Sequence, residues 1–238
     1  MDHSPFETPA GVAVTAVTAD EMRAVDRVAV EDVGIHLLQM MENAGRTLAE
    51  HGRRVGDGSA LVVAGNGGNG GGGLACARHL VNHEVTVTVV LDRDPSELSG
   101  VTAKQYRILD EMGVPVGVGP DGIADTTASV AVDALIGYGL TGTVREPVDE
   151  MIQTLNQRRT PVVSLDVPSG IDATTGEPKE GAVEPDRVVT LALPKTGLTS
   201  RDDPVVLADI SVPRTVYERL DIEYESPFEN SYWVELRR

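Results

Sequence analysis

The sequence predicts a single-domain, three-layer α/β fold: a mostly parallel sheet, helices on both of its faces, and two extra helices at the amino end. Three observations predict it. From residue 60 onward, short β-branched runs alternate with helical segments, the pattern of a doubly wound sheet. Those runs are near-continuous in Val, Leu and Ala rather than alternating apolar with polar, as strands buried on both faces are. The length of 238 residues is enough for one sizeable core.

Taken in order, residues 1–14 read as a flexible tail and 15–238 as the folded domain. "TADE" is a capping box that starts the first helix at Thr18, with Glu21 reaching back. The second helix lies in "HLLQMMENAGRTLAEHGRRV", where Leu37, Met41, Ala44 and Leu48 fall on one apolar stripe. Strands are expected at 60–65, 85–91, 128–136, 161–167, 187–193 and 205–210, with a short one at 114–118. Helices fill 73–82, 96–112 and 147–158. The tail "EYESPFENSYWVELRR" carries the single Trp and receives no function.

Composition narrows the partners. There are 37 Asp and Glu against 20 Lys and Arg, a net charge of -17, and Lys104, Lys179 and Lys195 are the three lysines. Such a surface repels nucleic acid. An acidic, lysine-poor surface suits a cytoplasm of concentrated salt, where screening shortens charge repulsion. That points to a halophile. The single Cys76 excludes an intrachain disulfide and reads as a packed core thiol. No apolar run approaches a membrane span and no signal segment is visible, so a soluble cytoplasmic protein is expected. The apolar face near Met40 and Met41 suggests a homodimer.

Four unusual stretches each follow a strand directly: the glycine run, "DALIGYGLTG", "LDVPSG" and "LPKTG". In open α/β sheets ligands bind beyond the carboxyl ends of the strands, so these stretches are expected to share one rim. In the run, seven of the nine positions from Gly65 to Gly73 are glycine. Gly65, Gly67 and Gly70 satisfy GxGxxG between a strand and a helix, with Asp92 at the end of the next strand, a dinucleotide signature. Glycine there lets backbone amides approach a pyrophosphate at the positive end of a helix. On those cues alone an NAD-dependent oxidoreductase remains open, although no separate substrate domain or obvious catalytic pair accompanies them.

The motifs together resemble the YjeF N-terminal domain family, whose enzymatic members are NAD(P)H-hydrate epimerases. The opening helices with "MENAG", the glycine run, "VDALIGYGLTG", "LDVPSGIDATTG", "LALPKTGL" and "VVLADISVP" follow in the family's order from about residue 15 to 213. The resemblance implies a Rossmann-like sheet, a bound potassium ion held by Asn69, Asp133 and Ser169, and a hydrated NADH or NADPH (NADHX or NADPHX) as substrate. The substrate would be held by Gly68, Asn69, Gly70, Gly71 and Gly72, by Gly137, Tyr138, Gly139, Leu140, Thr141, Gly142 and Thr143, and by Asp166.

Oxygen ligands suit a hard monovalent cation, and no His or Cys cluster competes for zinc. Epimerisation at C6 of the hydrated ring requires proton transfer at the hydroxyl in both directions; Asp166 is the candidate acid and base, with Lys195 orienting it or binding phosphate. One departure stands out: the family loop reads NNGGD where this chain has "GNGGG", so Gly68 and Gly72 replace an Asn and an Asp. A non-catalytic nucleotide-binding member of the same family is therefore the alternative. Because the chain ends before any dehydratase domain, the dehydratase of the pathway is expected to be a separate protein.

Overall fold

The computed structural model describes residues 5–179 and 181–238. The order of elements follows the expected alternation. After a short hairpin, β1 (Phe6–Glu7) and β2 (Ala13–Val14), come α1 (Ala19–Arg27), a π-helical turn at Val28–Val33 and α2 (Leu37–Val55). Then follow β3 (Ser59–Ala64), α3 (Gly68–Asn82), β4 (Thr86–Leu91), α4 (Gly100–Glu111), β5 (Val116–Val118), α5 (Gly119–Ala124) and β6 (Val130–Ala134). The remainder is α6 (Val148–Asn156), β7 (Val162–Leu165), β8 (Arg187–Leu191), β9 (Val205–Ala208), α7 (Arg214–Arg219) and β10 (Trp233–Leu236).

The capping box forms as its residue types require. The Glu21 amide donates to the Thr18 hydroxyl at 3.3 Å, and the Thr18 amide donates to the Glu21 carboxylate at 2.7 Å. Helix α2 buries Met41, Ala44 and Leu48 of the expected stripe, but Leu37 stays exposed at its first position.

The eight strands run in the order β10-β9-β8-β7-β6-β3-β4-β5, parallel throughout except for β10 against β9. Strand β3 shows why its apolar run is continuous. Ala60, Val62 and Ala64 face the cluster built on α2 and α3, while Leu61 and Val63 face Met151, Ile152 and Leu155 of α6. From β3 the chain first builds outward through β4 and β5, then returns to lay β6 on the other side. That reversal opens a crevice between the carboxyl ends of β3 and β6.

The amino end differs from expectation. Of the tail expected at 1–14, residues 1–4 lie outside the described residues. The rest forms the β1–β2 hairpin, with Phe6 and Val14 buried against Val188, Leu207 and Leu236. The carboxyl tail supplies β10, and Arg237 just after it exchanges two 2.8 Å backbone hydrogen bonds with Glu7. The two ends therefore close one edge of the fold together. Met40 and Met41 are also buried within the chain, at 3% and 4% exposure, so the surface invoked for a homodimer is used up by α1 and α3. Among the described residues, no helix is long and apolar enough to cross a membrane.

Candidate active site

Turns at the carboxyl ends of β3, β6 and β7 meet beneath α1 and α2 and enclose a cavity of about 500 Å³. The glycine run reaches it in an unexpected form. Residues 68–72, read as a loop, are the opening of α3, which begins at Gly68 with Gly67 as its N-cap. Close approach is the cause: a Cβ on Gly70 would lie 1.6 Å from the carbonyl oxygen of Gly65. Only a residue without that atom lets the helix descend onto the strand ends. The Gly71 amide donates to the Gly67 carbonyl at 2.9 Å. The amides before it have no carbonyl within the helix to serve, so the helix end favours an anion. Gly68, Asn69 and Gly72 line the cavity. Gly70 and Gly71 are buried behind them, Gly71 leaving room for the tip of Met41.

Asp166 follows β7 and has a φ of +68°, a conformation that costs a non-glycine residue about 1–3 kcal/mol. The surroundings hold it there. Its amide donates to the Val189 carbonyl at 2.7 Å, and its carboxylate accepts from the amides of Tyr138 at 3.2 Å and Leu191 at 3.3 Å. The same carboxylate accepts from the Lys195 ammonium, which is fully buried and donates also to the carbonyls of Leu191 at 2.9 Å and Leu193 at 3.0 Å. All three ammonium hydrogens are thereby used. Lys195 thereby braces the Asp166 carboxylate from behind.

Asp133, at 0% exposure on β6, accepts from the hydroxyls of Ser164 at 2.8 Å and Ser169 at 2.5 Å, and from the amides of Ser169 at 2.9 Å and Leu135 at 3.2 Å. Burial pushes its carboxyl above the ordinary range, and the hydrogen bonds from Ser169 and Ser164 oppose that. Ser169 also meets the main chain of Ile136, its hydroxyl oxygen accepting the amide at 2.9 Å and lying 3.1 Å from the carbonyl oxygen. Asn69 approaches the same segment one residue on, its side-chain oxygen 2.9 Å from where a Cβ of Gly137 would stand. The side-chain amide nitrogen of Asn69 is buried and has no hydrogen-bond partner among the described residues. The segment 135–137 thus gathers Asn69, Asp133 and Ser169, all oxygen-bearing, and no group of three or more His, Cys, Asp or Glu is placed to hold a metal among the described residues. Oxygen donors of this kind suit a hard monovalent cation.

The turn after β6 contributes only its first part. Gly137, Tyr138 and Gly139 line the cavity, whereas Thr141, Gly142 and Thr143 are exposed and Leu140, half-buried, lies outside the lining. Asp92, the dinucleotide cue, is also outside it; its carboxylate is engaged by the Arg93 guanidinium at 3.0 and 2.7 Å. The oxidoreductase cue thus stands apart from the site.

Sequence reasoning missed the roof, made by Met22, Arg23 and Asp26 of α1 and by Leu37, Met40 and Ala44 of α2. Asp26 accepts a hydrogen bond from the Tyr138 hydroxyl. A signal was present: Met22 and Val25 mark the buried side of α1, and Asp26 sits beside them, a carboxylate on an apolar stripe.

Fold and site together define a Rossmann-like α/β protein whose cavity lies at the switch point of the sheet and carries a lysine-braced carboxylate. The chain belongs to the family described as YjeF-related protein N-terminus, which it matches over residues 37–197. It is 43% identical to an NAD(P)H-hydrate epimerase of Dehalogenimonas lykanthroporepellens, over 97% of this chain and 96% of that protein. It is 37% identical to the bifunctional NAD(P)H-hydrate repair enzyme Nnr of Salinibacter ruber, over 85% of this chain and 42% of that longer protein. The crystal structure of the yeast protein ynu0 superposes with a TM-score of 0.81 at 24% identity, covering 93% of this chain and all of that one, and so shares the fold.

Proposed function

We propose that the protein is an NAD(P)H-hydrate epimerase, an isomerase that interconverts the R and S forms at C6 of the hydrated nicotinamide ring. The observation that carries this reading is Asp166, held in a strained backbone conformation at the cavity wall and braced by a buried lysine. The end-to-end likeness to a relative of that name supports it. Strain maintained at a cavity marks a group whose placement matters.

The chain's own residues divide the work. The open amides at the start of α3 receive the negative pyrophosphate, and Gly67 and Gly68 leave space beside them. Gly137 has no side chain because Asn69 and Asp166 converge on its α-carbon, and the missing Cβ keeps the carboxylate accessible. Asp166 moves protons at the C6 hydroxyl. Potassium would be held by Asn69, Asp133 and Ser169. When bound it supplies a fixed positive charge beside the cofactor pocket. The acidic composition extends the reading to a salt-rich interior, and a dehydratase acting on the S form would consume the product.

The test supplies R-hydrate together with an S-specific dehydratase in potassium buffer. Consumption is expected to outpace spontaneous epimerisation, to fall by about 100-fold or more in Asp166→Asn, and to fall when tetramethylammonium replaces potassium. A folded wild-type protein that gives no acceleration overturns the reading.

A further inference from the structure

We propose that Asp26 is a second catalytic residue of the site, exchanging a proton with the C6 hydroxyl on one face of the ring while Asp166 does so on the other. This rests on the epimerase reading above. Inversion at one carbon delivers and removes oxygen on opposite faces, and one carboxylate fixed on one wall serves one face only.

The geometry provides a second carboxyl. Asp26 lines the same cavity as Asp166 but belongs to the roof rather than the sheet. Tyr138 touches both: its main-chain amide donates to Asp166 at 3.2 Å and its phenol donates to Asp26. The two carboxyl groups are therefore held by the two ends of one tyrosine, and both line the cavity. Their environments differ. Asp166 has the Lys195 ammonium, whereas Asp26 has the Tyr138 phenol.

The charged and titratable groups around Asp26 are Arg23 on its own helix, which is bound to Asp20 at 2.5 Å, Tyr138, Lys195 and Asp166 across the cavity, and the buried Tyr217 of α7. Burial raises the Asp26 carboxyl above its ordinary range, and Asp166 adds to that; the phenol and Lys195 oppose it. A carboxyl that burial keeps protonated to higher pH is suited to give a proton to a leaving hydroxyl.

The step balances. The Asp26 carboxyl gives its proton to the C6 hydroxyl, the C6–O bond breaks with its electron pair leaving on water, and the N1 lone pair forms the C6=N1 bond. A water on the opposite face bonds to C6, the C6=N1 pair returns to N1, and the proton released from that water passes to Asp166. One proton has moved from Asp26 to Asp166, and exchange with solvent past the exposed Gly67 and Gly68 resets them. The reverse reaction uses the same groups with exchanged roles.

Asp26→Asn keeps an acceptor for the phenol and removes the proton, whereas Tyr138→Phe does the reverse. In the coupled hydrate assay, Asp26→Asn is expected to lower kcat about 100-fold or more with KM within about threefold, and to abolish the limb of the kcat/KM against pH profile at which activity falls on deprotonation. Tyr138→Phe is expected to retain that limb, moved to higher pH. Asp26→Glu, a second variant should Asp26→Asn fail to fold, is expected to retain the limb at reduced kcat. The proposal is overturned if Asp26→Asn turns over within about tenfold of wild type with the limb unchanged, if both substitutions cost the same with the limb intact, as a mere tie between α1 and the β6 turn would give, or if Asp26→Glu loses the limb. A wild-type protein without epimerase activity brings down the functional reading itself, and that result is seen before any substitution is made.

Discussion

At the scale of single residues, Gly72 carries the sharpest consequence. The family loop has an aspartate where this chain has glycine, and the structure shows what occupies the space: a Cβ at position 72 would lie 2.8 Å from Cδ2 of Leu165. Leu165 is fully buried, and its methyl must shift toward the cavity to make room. Gly72→Asp alone is therefore expected to cost about 1–3 kcal/mol of stability. The double variant with Leu165→Val, which removes the obstructing methyl, is expected to recover most of it. Urea unfolding of both variants checks this, and a single variant as stable as wild type contradicts the packing account. Asp166, Lys195 and Asn69 were legible from their motifs because each follows a strand whose end the sequence marks. Asp26 was not singled out: its place beside Met22 and Val25 sets it on the apolar side of α1, but only the folded chain shows that this side roofs a cavity.

At the scale of elements, the carboxyl-terminal strand explains a histidine that has no part in the site. His51 of α2 is fully buried, 3.1 Å from the Arg187 guanidinium of β8 and edge-on to the Trp233 ring of β10 at 4.6 Å. Trp233 is tied to the same helix through Glu50, and the Arg54 guanidinium lies 4.6 Å from its ring centroid. Burial, then Arg187, lowers the His51 pKa to about 4 from 6.5, with Glu50 opposing and Arg54 adding. The folded protein therefore keeps this imidazole neutral where the unfolded chain takes up a proton. Its contribution is fully present above pH 6.5 and is lost as pH falls toward 4, at most about 3 kcal/mol. Wild type is expected to lose more stability than His51→Gln between pH 7 and 4.5, measured as urea midpoints; parallel curves would contradict it. The tail had no reading in sequence because β10 owes its existence to β9 and to the amino-terminal hairpin, both remote along the chain.

At the scale of the whole molecule, the net charge of -17 sets how stability responds to salt. Like charges spread over a surface oppose the compact state, and the screening length falls from about 10 Å at 0.1 M to about 3 Å at 1 M. The melting temperature is expected to rise as potassium chloride increases across that range. Calorimetry at fixed pH measures it, and a flat or falling curve would sink the expectation.

The sequence by itself determined the sheet and its rim. Continuous Val and Leu runs separated by helices admit one architecture, and ligand-binding turns must then follow the carboxyl ends of the strands. Only the tertiary structure decided that the glycine run opens a helix, that the methionine face is spent inside the chain, and that α1 roofs the cavity. The physical reason is range. Periodicity reports which face of an element is apolar, whereas which remote element covers that face, and which carboxylate it brings across a cavity, depends on contacts between residues far apart in the chain.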